Sequence, residues 1–230
     1  MIRDAVNLII SGVVSRKLWI IAFIANVGTM SSFAFFDVGA DADPDIGFLG
    51  LLAIGLIIGV VAIFVTSWML TRALARTKYD EQGGVGAWIG WGVVSTTPIM
   101  LAAILLYFTF EEQPHWLIVS IILEISMCIT SPFLVLAAGR AINRNGPQTR
   151  SILNYWLGRY GRLFFGYFVA AVPLTLIADA IGEFGRATPT NLVLTGLASA
   201  ILYFCSSILV IAVTVVAYRE AEAGRPSTAR

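Results

Sequence analysis

Two carboxyls stand in otherwise apolar sequence: Glu124 inside the run 116–138, and Asp179 near the far end of the run 163–181. A charge in hydrocarbon is costly, so an acid in such a run marks proton or ion chemistry, or a tie between helices. Glu124 is eight residues into its run, ~12 Å along a helix that rises ~1.5 Å per residue. At that depth it must be neutral or paired. Facing Asp179 across a bundle, it forms a proton or cation site. Asn26, Thr97 and Ser206 fall in three other apolar runs and are the polar residues able to join such a site. Pro98, Pro132 and Pro173 interrupt three successive runs, and broken helices line the paths of many transporters. The competing reading is plain: polar groups in apolar helices often do no more than hydrogen-bond a neighbouring helix, at ~0.6 kcal/mol each.

Other chemistry finds little support. His115 is the single histidine, so the two-histidine set of a lipid phosphatase and the serine–histidine pair of an intramembrane protease are both absent. The stretch Glu111–Glu112–Gln113–Pro114–His115 lacks the arginine and the further histidines of a prenyl-protein protease. Asp37, Asp41, Asp43 and Asp45 read as a solvated loop. Cys128 and Cys205 lie in different runs and read as small apolar fillers. With no zinc spacing, phosphate-binding glycine loop or triad, the expectation is a non-enzymatic membrane protein without metal or cofactor that interacts with lipids or partner membrane proteins, with small-solute or ion transport through the intramembrane carboxylate as the alternative.

The elements that must position Glu124 and Asp179 follow from composition. The chain has 230 residues, 58% apolar and 13% charged, with a mean hydropathy of +0.84. Soluble domains carry about twice that share of charge, so the expected solvent is lipid. A net charge of +1 leaves no basic surface for nucleic acid. Six runs, 18–36, 46–70, 87–110, 116–138, 163–181 and 192–217, are long enough to cross a ~30 Å hydrocarbon layer as helices. Residues 1–217 thus read as one all-α membrane bundle, with 218–230 as a tail. The run 18–36 exceeds the ~7–15 apolar residues of a secretory signal, so it reads as a span.

Fourteen of the 15 Lys and Arg residues fall on one side of this threading, leaving Arg186 alone on the other. Basic residues stay in the cytoplasm, which places both termini there. Two segments on that side are amphipathic and read as interfacial helices. In 3–17, Val6, Ile9, Ile10, Val13 and Val14 share a face opposite Arg3, Asn7, Ser11 and Ser15; in 148–162, Ile152, Leu153, Trp156, Leu157 and Tyr160 do so opposite Arg159 and Arg162. Arg150, Arg159 and Arg162, beside Tyr155, Trp156 and Tyr160, suit anionic head groups, so membrane lipids are the expected partners. Gly55 and Gly59 form a GxxxG step, which predicts close packing on another helix of the chain, a second copy or a membrane-protein partner.

The layout resembles a known family. The residues that carry the resemblance are Ser15–Arg16–Lys17–Leu18–Trp19 at the first span, Leu157–Gly158–Arg159–Tyr160–Gly161–Arg162–Leu163–Phe164 at the fifth, and Val215–Val216–Ala217–Tyr218–Arg219–Glu220 at the last. They are similar to the six-helix membrane domain fused to some bacterial glycerophosphodiester phosphodiesterases, and to related inner-membrane proteins. Ala137–Ala138–Gly139–Arg140 departs from that pattern, which often has an acid there. The resemblance implies a bacterial inner-membrane protein without the phosphodiesterase activity, since too few residues lie outside the spans to build a catalytic domain.

Overall fold

The computed structural model describes residues 1–40, 46–76, 116–143, 149–187 and 192–224, with short stretches between 84 and 105; side chains at 30–53, 56, 116, 185–187, 192 and 193 are not among them. The described residues include eight helices and no strand. These are α1 (Ile2–Ile10), α2 (Arg16–Ala40), α3 (Ile46–Leu74), α4 (Trp116–Ile129), α5 (Ser131–Ile142), α6 (Thr149–Leu157), α7 (Tyr160–Ala187) and α8 (Leu192–Ala223).

The helices pack around α8, which touches α1, α2, α3, α5, α6 and α7. Its sequence explains the place. From Ile211 to Tyr218 every residue is buried, so the helix is apolar on all sides and needs neighbours on all sides. Pairs α2–α3 and α4–α7 complete the bundle. Phe204 of α8 holds α2 through edge-on contacts with Trp19 and Phe23, at centroid distances of 6.4 and 5.3 Å.

Three described segments are long and apolar enough to cross a membrane: Ile57–Leu74 in α3, Tyr160–Phe184 in α7 and Leu194–Ala223 in α8. The pair α4–α5 makes a fourth if its two halves count as one span. The described helices therefore support three or four crossings where the sequence predicts six. Of the others, α2 is helical across 18–36, though part of its side chains lie outside the described residues, as does most of 87–110.

The fourth expected span is not one straight helix. Its halves meet at a bend of 56°. Pro132 stands in the first turn of α5 and has no N–H to give. Phe133 donates to the Thr130 carbonyl at 2.9 Å in place of Ile129, the partner a continuous helix would supply. The Ile129 carbonyl accepts the Tyr160 hydroxyl instead, at 2.9 Å. Pro173, by contrast, sits on an exposed side of α7, which continues through it.

Both expected interfacial helices end early and pack on the bundle. The first, expected over 3–17, stops at Ile10 because Gly12 turns with φ +68°. Its buried residues, Ala5 and Leu8, lie off the expected apolar face, whose Val6 and Ile10 are exposed, so α1 packs on α8 through residues the pattern did not pick out. The second, expected over 148–162, ends at Leu157, and Gly158 and Arg159 form a turn into α7. Trp156 is fully buried and its indole N–H donates to the Ala217 carbonyl at 3.2 Å. The tail expected from 218 is helical to Ala223, with Tyr218 and Ala221 in the core.

Of the GxxxG pair, one glycine alone makes a close contact. A Cβ on Gly59 would lie 2.5 Å from the Thr29 hydroxyl of α2, whereas one on Gly55 would meet nothing within 4 Å. Close packing at this step is between α2 and α3, through Gly59.

Candidate functional site

Asp179 lies on α7 between α4 and α8 because α7 packs on both. Its carboxyl accepts two hydroxyls, one from each neighbour: Ser120 of α4 on Oδ2 and Tyr203 of α8 on Oδ1. Two donors on separate oxygens are what a carboxylate needs when water is excluded.

Glu124 lies on the same face of α4 one turn beyond Ser120, and its carboxyl feels the charge of Asp179. Thr175 stands one turn before Asp179 on α7, and its side chain is near enough to Glu124 to influence the carboxyl. The Thr175 hydroxyl is also within 3.0 Å of the Ala171 carbonyl and 3.2 Å of the Val172 carbonyl, which can only accept. One Glu124 oxygen, Oε2, is buried with no hydrogen-bond partner among the described residues, whereas each Asp179 oxygen accepts a hydroxyl.

Other hydroxyls continue along the same helices. Ser199 of α8 donates to the Ala178 carbonyl at 2.7 Å, next to Asp179. Toward the opposite end, Cys128 follows Glu124 by one turn and is buried. Tyr167 of α7, fully buried, shares a hydrogen bond with Thr214 of α8. The Ser131 hydroxyl at the bend is buried without a partner among the described residues.

The other expected members of the polar site are elsewhere. Asn26 is buried on α2, its Oδ1 without a hydrogen-bond partner among the described residues, and Ser206 is buried on α8. No hydrogen bond joins either to the carboxyl pair among the described residues. Thr97 is exposed, and its hydroxyl bonds its own helix at the Val93 carbonyl. Ser120, Thr175 and Tyr203 escaped the sequence reading. Their signal was spacing: Ser120 precedes Glu124 by four residues and Thr175 precedes Asp179 by four, which puts each pair on one helix face.

The arginines expected at head groups divide. Arg150 is exposed. The Arg159 guanidinium lies over the Tyr155 ring, 4.2 Å from its centroid. Arg162 pairs with Glu220 at 2.9 Å, tying the start of α7 to the end of α8. Cys128 and Cys205 are both free thiols. Among the described residues no cluster of His, Cys, Asp and Glu has the composition of a metal site. The acids at 37–45 and the stretch 111–115 lie outside the described side chains.

No family model matches the chain, and neither a curated protein nor a solved structure does.

Proposed function

We propose that the chain is a non-enzymatic bacterial inner-membrane protein of six spans, with both termini cytoplasmic, that holds and passes a proton or small cation at Glu124 and Asp179. The Oε2 of Glu124, buried without a hydrogen-bond partner among the described residues, near an Asp179 that accepts two hydroxyls, carries this reading. Two carboxyls in a low dielectric cannot both keep a charge unless a cation lies between them. Asp179, with two donors, is the one built to stay ionised. Glu124 then carries the proton, or gives it up when a cation arrives.

The bend at Thr130 adds support, since broken helices recur where transported ions bind. The 14-to-1 division of basic residues supports the orientation. The resemblance to phosphodiesterase-fused membrane domains supports the six-span bacterial setting and the lack of catalysis.

The test is flux. Full-length protein in liposomes carrying an internal pH dye is given a proton gradient, then a sodium or potassium gradient. Wild type is expected to dissipate one of these, and Glu124→Gln and Asp179→Asn to be slowed about a hundredfold or more, as when one proton-transfer group is removed. Wild type no faster than empty liposomes would refute the reading.

A second reading, lipid contact by the basic end, is favoured by the exposure of Arg150 and Arg159.

A further inference from the structure

The ends of α3 and α8 meet beside α1 and leave an open cleft of about 560 Å³. Asp4 and Asn7 of α1, with Ser11 just past its end, line one side, Arg76 and Arg219 with Glu220 the other. Asp4 pairs with the Met1 amino group at 3.0 Å, and Glu220 pairs through Oε1 with Arg162 at 2.9 Å, its Oε2 being buried without a partner among the described residues. Arg76 and Arg219 are close enough to repel, and neither has an ion pair among the described residues. Glu222, on the exposed side of α8, attracts Arg219 but does not line the cleft.

The backbone holds the like charges together. Arg219 donates to the Leu74 carbonyl at 3.3 Å, which fixes it over the last turn of α3. Arg76 follows that turn with φ +51°, a left-handed conformation unusual for arginine, and its N–H closes on the Ala73 carbonyl at 3.1 Å. Asn7 and Ser11 add neutral polar groups opposite.

We propose that this cleft binds a phosphate anion, with Arg76 and Arg219 as a two-pronged clamp. Guanidinium forks suit phosphate oxygens, and neither of these two is held in an ion pair among the described residues. The source is a phospholipid head group or a free phosphate. The site does not depend on the carboxyl pair.

Detergent-purified full-length protein is equilibrated with mixed phosphatidylcholine and phosphatidylglycerol, and retained lipid is counted by native mass spectrometry. Inorganic phosphate is titrated calorimetrically in parallel. Arg76→Asn with Arg219→Gln is expected to weaken binding of the bound probe about tenfold, while Lys17→Gln, exposed at the start of α2 and outside the cleft, leaves it unchanged. Preferential retention of phosphatidylglycerol, lost in the double variant, supports a lipid source; phosphate binding lost in the same variant supports a soluble one. Asn7→Asp, which keeps both arginines and adds a carboxylate, gives the same loss and stands in if the double variant misfolds. Neither probe binding, or binding indifferent to these changes, overturns the proposal.

Discussion

The Tyr203 hydroxyl donates to the Asp179 carboxyl across the interface of α7 and α8, while Ser120 reaches the same carboxyl from α4. One acid therefore ties three helices. If the bond contributes to stability, Tyr203→Phe leaves that oxygen short of a donor and costs ~1 kcal/mol, within the range for buried polar contacts between membrane helices. Unfolding in mixed micelles by a denaturing detergent measures it. Ser206→Ala, at a buried hydroxyl away from Asp179, serves as the comparison and is expected to change less.

The two glycines of the GxxxG step are expected to separate. Gly59→Ala places a methyl 2.5 Å from the Thr29 hydroxyl and should destabilise by ~1–3 kcal/mol, the usual cost of overpacking. Gly55→Ala meets open space and should be neutral, or stabilising by up to ~1 kcal/mol through helix propensity. Adding Thr29→Ala should recover part of the Gly59→Ala loss. The same unfolding assay reads all three.

Trp156 anchors α6. Its removal as Trp156→Ala should cost ~3–5 kcal/mol, as for other large buried aromatics, and speed hydrogen exchange in 149–157 before the rest of the bundle. Trp156→Phe keeps most of the packing and loses the bond to the Ala217 carbonyl, a change of ~1 kcal/mol.

Orientation is tested with Ala223→Cys in a Cys205→Ser background. Ala223 is exposed at the end of α8. A membrane-impermeant maleimide should label it in opened cells and not in intact ones. Labelling of intact cells would reverse the threading.

The acids were legible because burial of a charge among apolar residues is conspicuous; Glu124 and Asp179 needed no structure to be noticed. Their hydroxyl neighbours were not legible, since Ser120, Thr175 and Tyr203 are ordinary occupants of apolar helices until the packing of α4, α7 and α8 selects them. The amphipathic segments failed for a related reason. Lipid and bundle interior are both apolar, so the apolar pattern of α1 could not say which residues meet protein; Ala5 and Leu8 do, Val6 and Ile10 do not. Boundaries were set by backbone geometry, at Gly12 and Gly158, more than by the apolar pattern. The pairing of Arg76 with Arg219 was hidden because it joins residues far apart in the chain.

The central claim is that Glu124 carries an exchangeable proton beside an ionised Asp179. Infrared spectroscopy of the protein in lipid tests it directly through the carboxylic-acid C=O stretch. The account predicts a protonated-carboxyl band that is absent in Glu124→Gln and shifts promptly in heavy water, while helix amides of α8 exchange slowly. A spectrum unchanged by Glu124→Gln, or a Glu124 band that does not shift in heavy water, would contradict it.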